Sequence, residues 1–128
     1  MYNRLYIYTK EFIIMVEGIL KKSRVSSTEL EVLLKERKAG NADFILVDVR
    51  EQGEYDSGHV SGVDMLRPTS TFQSWGETFF NENRDKTVIF TCRSGARSGQ
   101  VEQFFKQNGM SRVINHSGGI ISFRGAIS

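Results

Sequence analysis

Apolar positions along this chain fall into two kinds of pattern: short unbroken runs, and longer stretches in which they recur every three or four residues. Phe44-Ile45-Leu46-Val47-Asp48-Val49 is a nearly continuous apolar run too short for a helix, and such runs suit strands buried on both faces of a parallel sheet. Thr87-Val88-Ile89-Phe90-Thr91 repeats the signature, and Arg112-Val113-Ile114-Asn115 reads as a further strand. Helical spacing appears between them. Ser26 and Glu29 form a capping-box pair ahead of Leu30, Leu33 and Leu34, which predicts a helix ending near Gly40. Phe72, Trp75, Phe79 and Phe80 predict another over residues 70–80, with these aromatics expected in the core. Val101, Phe104 and Phe105 mark a third, closed by Asn108-Gly109. Strands alternating with helices predict an α/β domain, an open, mostly parallel sheet flanked by helices. Ligands of such sheets gather at the carboxyl ends of the strands, where this chain places Asp48 and Cys92.

The N-terminal part carries less pattern. Residues 1–25 are expected to be an extension, partly disordered, with the domain proper over 26–128. Glu11 and Glu17 bracket the run Phe12-Ile13-Ile14-Met15-Val16, which is too short for a signal-peptide core. No stretch approaches the roughly eighteen apolar residues of a membrane span. The formal net charge of +2 is too small an excess to suggest a nucleic-acid or membrane partner. What excess there is lies early, with eight basic against five acidic residues in positions 1–40.

The cysteine count changes the picture most. Cys92 stands alone, so neither an intramolecular disulfide nor a CxxC pair can form, and a reducing, cytoplasmic compartment is expected. Cys92-Arg93-Ser94-Gly95-Ala96-Arg97-Ser98 joins a strand to a helix within a few residues. Successive amides must then turn inward around one point, and such a nest, continued by a helix N-terminus, binds anions. Amides and arginines of this kind lower a thiol pKa from about 8.5 to roughly 3.5–7.5. Cys92 is therefore expected to be a nucleophilic thiolate. Gly95 supplies the sharp turn, and Arg93 and Arg97 supply fixed positive charge. The competing reading, a small buried hydrophobe, leaves that setting unexplained.

The loop Cys92-Arg93-Ser94-Gly95-Ala96-Arg97-Ser98 resembles that of the rhodanese-like domain family. So do Leu46-Val47-Asp48-Val49-Arg50-Glu51, Gly58-His59-Val60-Ser61-Gly62-Val63 and Ser117-Gly118-Gly119-Ile120. The resemblance covers roughly residues 26 to 123. It implies a five-stranded sheet and a sulfurtransferase in which Cys92 accepts a sulfane sulfur as a persulfide and passes it on. The donor would be a small anion such as thiosulfate, and the acceptor a thiol, cyanide or a protein. No metal or organic cofactor is implied. By the same resemblance the backbone of Arg93, Ser94, Gly95, Ala96 and Arg97 forms the sulfur cradle, and the two arginines attract the donor. Asp48, Arg50, His59 and Ser98 are expected as supporting residues, and His116 as a surface or strand-end residue. Two positions depart from the family pattern: Ser61 where proline is common, and Phe123 where tryptophan often follows the glycine pair.

Three alternatives remain at this level. A cysteine phosphatase or arsenate reductase places its loop arginine six positions after the cysteine, whereas Arg97 is five after Cys92. A rhodanese-like module that carries sulfur for, or simply binds, a partner protein would use the aromatic stretch around Trp75. A peroxide-sensing thiol would need a partner thiol.

Overall fold

A computed structural model describes residues 2–128, with side chains described from residue 10 onward. Five strands form one parallel sheet: β1 (Arg24–Val25), β2 (Ile45–Asp48), β3 (Met65–Leu66), β4 (Val88–Thr91) and β5 (Val113–His116), in the order β1-β5-β4-β2-β3. The three apolar runs are the three central strands. The edge strands β1 and β3 have two residues each, too few to leave a pattern. Helices are α1 (Tyr2–Ile19), α2 (Ser27–Lys38), α3 (Gln52–Asp56), α4 (Phe72–Asn83) and α5 (Ala96–Gln107). Ser26 and Glu29 form the predicted capping box, each bonding the other's backbone amide.

Side-chain alternation explains why the central strands read as unbroken apolar runs. Val47, Val88, Phe90 and Val113 point to one face, where they meet Trp75, Phe79, Val101 and Phe105 of α4 and α5. Leu46, Ile89 and Ile114 point to the other, where they meet Leu30 and Leu33 of α2 and Val16 and Ile19 of α1. Each strand is covered on both sides. The predicted aromatic core holds for Trp75 and Phe79, with Phe72 and Phe80 partly buried against it. Cys92 belongs to the α4–α5 side.

Two regions differ from expectation. Part of the expected extension, residues 1–25, is packed with the domain, since Val16, Ile19 and Val25 lie in its core and β1 pairs with β5. His116 does end a strand, but it is not on the surface. Its ring is fully buried and bridges elements, with Nδ1 2.8 Å from Thr91 Oγ1 and Nε2 2.8 Å from Ser27 Oγ. Burial lowers its pKa to about 4, so the ring is neutral near pH 7.

Candidate active site

Cys92 follows the last residue of β4, and α5 begins four positions later. Gly95 makes the turn with φ 92°, and a side chain there would put Cβ 2.1 Å from the carbonyl oxygen of Ser117. Glycine is therefore required both for its backbone angle and for the close approach of the next loop. That approach has a purpose. Amides of Ile120 and Ile121 donate to the carbonyls of Cys92 and Arg93 at 2.9 and 3.0 Å, and Asn115 Nδ2 donates to the Gly95 carbonyl at 3.1 Å. With its carbonyls tied outward, the loop turns its amides inward. Gly95 N lies 3.1 Å from Cys92 Sγ, Ser98 N 3.4 Å and Ser98 Oγ 3.3 Å.

Cys92 is 1% exposed. Burial by itself pushes the thiol pKa up, yet the Ser98 hydroxyl and the amides of Ser98, Ser94 and Gly95 outweigh it and hold the pKa below the ordinary thiol value. These groups stabilise the anion at the point where α5 presents its N-terminus. Ser98 Oγ also lies 2.6 Å from Asn115 Oδ1. Its single proton serves Asn115 or the sulfur, and a thiolate is the stronger acceptor.

The arginines divide. Arg93 is exposed, and its side chain forms no ion pair among the described residues. Arg97 instead grips Glu54 of α3 through Nη1–Oε1 at 2.7 Å and Nη2–Oε2 at 2.9 Å. Arg97 and the Glu51 amide hold the Glu54 carboxyl down at about pKa 2. Arg97, expected to attract the donor, is therefore paired with Glu54.

The residues expected to support the site sit apart from the sulfur, with the exception of Ser98. Arg50 Nη2 meets Asp48 Oδ2 at 2.8 Å, and Arg50 Nε lies 3.1 and 3.0 Å from the two Asp48 oxygens. The same Nη2 donates to the Gly58 carbonyl at 2.7 Å. This buried pair braces the segment after α3. His59 stacks on Tyr55 at 3.9 Å between centroids, with Nδ1 3.0 Å from the Tyr55 carbonyl, and its backbone pairs with Ser128. None of these hydrogen bonds reaches the Cys92 loop. A cleft of about 970 Å³ lies at the amino ends of β2 and β4, lined by Phe44, Thr87 and Arg112, and contains none of the predicted site residues.

The loop holds the carbonyls of Cys92, Arg93 and Gly95 in hydrogen bonds to its neighbours and turns amides toward one sulfur, and the sequence around it matches a known family. The family described as "Rhodanese-like domain" matches residues 29–126. The chain belongs to the rhodanese-like domain family. It is 29% identical over 123 residues to the uncharacterized protein YqhL of Bacillus subtilis, spanning 96% of this chain and 92% of that one. A protein of Allochromatium vinosum named "Sulfurtransferase" is 34% identical over 90 residues, 70% of this chain and 80% of the relative. The crystal structure of a rhodanese-like domain protein from Staphylococcus aureus superposes with a TM-score of 0.64 at 24% identity, covering 81% of this chain and 95% of that one. The chain also matches a tRNA uridine(34) hydroxylase of Citrobacter koseri, 30% identical over 84 residues, but spans only 24% of that protein's length.

Both departures from the rhodanese-like pattern have local reasons. The Ser61 amide donates to the Ala126 carbonyl at 2.9 Å, a bond that proline could not make, and its hydroxyl meets that of Ser128. Phe123 and the buried His116 ring meet nearly perpendicular, 6.2 Å between centroids, and Phe123 packs on the α2 side of the core. Sequence reasoning missed Glu54 and Asn115. Glu54 did leave a trace: Glu51 and Glu54 have capping-box spacing, and the Glu54 carboxylate accepts from the Glu51 amide at 3.0 Å. Asn115 left none, because a polar residue late in a strand says nothing about what it meets across the sheet.

Proposed function

We propose that this protein is a sulfurtransferase that carries a sulfane sulfur as a persulfide on Cys92. The carrying observation is the convergence of the Gly95 amide, the Ser98 amide and the Ser98 hydroxyl on one sulfur atom, with the pKa of that thiol lowered against the effect of burial. With thiosulfate as donor, the Cys92 thiolate attacks the outer sulfur. A Cys92 S–S bond forms as the donor's S–S bond breaks, and sulfite leaves with the electron pair. A thiol, cyanide or a cysteine of a partner protein then attacks the outer sulfur of the persulfide, and Cys92 departs as a thiolate. Donors that stabilise the thiolate before attack also stabilise it as the leaving group, so one cradle assists both steps. Neither step asks for a metal or organic cofactor.

The name of the Allochromatium vinosum relative supports this reading. Phosphoryl or arsenate chemistry is disfavoured, since the charge an arginine would offer a tetrahedral oxyanion is already paired with Glu54, and Arg97 stands five rather than six positions after Cys92. A cytoplasmic setting suits a carrier with one reduced thiol. The test is thiocyanate formation from thiosulfate, and from a persulfide donor, with cyanide as acceptor. Wild type is expected to turn over, and Cys92→Ser to give none. Turnover that survives in Cys92→Ser, or that is missing from wild type with both donors, would overturn the proposal.

A further inference from the structure

The loop and its rim hold two arginines and, facing one of them, an acid supplied by a different element. Glu54 comes from α3, yet its carboxylate spans both outer nitrogens of Arg97 from α5. This is not a pair whose job is to satisfy buried groups, because both side chains are about one-third exposed, 33% and 34%. The carboxylate remains ionised far below neutral pH. Arg97 feels the charge of Cys92 as well as those of Glu54 and Glu51. An anion approaching the sulfur therefore meets Arg97 already neutralised, and of the loop's two cations Arg93 alone is left unpaired among the described residues.

Resting on the sulfurtransferase reading, we infer that Glu54 sets donor preference by charge, matching the site to monoanionic sulfane donors over dianionic ones. A donor with one negative charge is balanced by Arg93. A dianion such as thiosulfate brings a second charge that finds Arg97 occupied and Glu54 repelling it. Both kinds of donor undergo the same chemistry. Thiosulfate gives the Cys92 persulfide and sulfite, and an alkanethiosulfonate gives the same persulfide and an alkanesulfinate. In each the donor S–S bond breaks and the leaving group keeps the pair. The two differ at the mouth of the site mainly by one charge, so a single nearby carboxylate acts on their ratio. Glu54 is in this sense a positioning residue, acting on the donor through Arg97.

The experiment compares kcat/KM for thiosulfate and for methanethiosulfonate, with cyanide as acceptor, in wild type, Glu54→Gln and Glu54→Asp. Glutamine keeps the oxygen that accepts from the Glu51 amide, so α3 stays capped while the charge is lost. The thiosulfate-to-methanethiosulfonate ratio is expected to rise about five- to tenfold in Glu54→Gln, on the scale of one unit charge a few ångströms from the donor in a half-solvated site. That gain should shrink as salt is added, and Glu54→Asp, which keeps the charge, should stay near the wild-type ratio. A merely structural loss would move both donors together, and an unchanged ratio in Glu54→Gln would overturn the inference while leaving sulfur transfer intact. Failure of both donors to load wild-type Cys92 would overturn the transfer reading itself, and the inference with it.

Discussion

Neighbouring strands β2 and β4 run side by side, with Asp48 opposite Thr91, and each gives way to polar residues at its carboxyl end. The two ends use their hydrogen bonds in opposite ways. After β2, Asp48 and Arg50 close on each other, both buried, and Arg50 Nη2 also donates to the Gly58 carbonyl. The buried guanidinium there meets a carboxylate in the resting protein. After β4, the Gly95 amide, the Ser98 amide and the Ser98 hydroxyl face a sulfur, and a neutral thiol is a weak acceptor. Those donors are well matched only when Cys92 is charged. One strand end is finished by folding, and the other is finished by ionisation of Cys92.

The largest effect is expected from taking apart the finished end. Asp48→Ala leaves the Arg50 guanidinium buried without its carboxylate, and should cost about 3–5 kcal/mol of stability in urea unfolding. Under conditions where the variant stays folded, its Cys92 should still ionise and load sulfur. Loss of the low thiol pKa at unchanged stability would mean that β2 contributes to the chemistry after all.

Acid probes the floor beneath the loop. His116 joins β5 to Thr91 of β4 and to Ser27 of α2, and burial lowers its pKa from 6.5 to about 4. Above pH 6.5 the ring is neutral in both folded and unfolded chains. Between 6.5 and 4 only the unfolded chain takes up the proton, so stability should fall with pH by as much as about 3 kcal/mol and then level off below the folded pKa. A variant with His116→Asn should show a flatter profile over that window. An identical profile would show that the loss comes from other groups.

A smaller and more local effect falls on the sulfur itself. Ser98→Ala deletes one donor to a charged acceptor, a bond worth about 1.5–3 kcal/mol, so the Cys92 pKa should rise. Thiolate ultraviolet absorbance followed against pH measures this directly. No shift would mean that the Ser98 hydroxyl keeps its proton on Asn115 even when the thiolate is present.

Much of the scaffold was legible because its signals are local. Leu46 and Val47 face opposite cores, so the run that contains them could be read as a doubly buried strand without knowing either partner. The Ser26–Glu29 box and the glycine turn at Gly95 lie within a few residues of what they control. The site was legible as far as such signals reach, which located Cys92 and the loop. Pairings across sequence were not. Glu54 meets Arg97 over 43 residues and Asn115 meets Ser98 over 17, and no periodicity chooses among the many charges and amides available. His116 was misjudged in part for the same reason: a polar residue ending an apolar run looks like an exit from the core, until Ser27 and Thr91 are seen to take both of its ring nitrogens.

In the proposed function the end of β4 becomes complete when Cys92 is charged and then carries sulfur. Intact mass of the purified protein after a thiosulfonate or persulfide donor, followed by dithiothreitol, tests it most directly. The expected result is a gain of one sulfur atom mapped to Cys92, reversed by the thiol, retained in Asp48→Asn and missing from Cys92→Ser. No gain in wild type, or the same gain in Cys92→Ser, would contradict it.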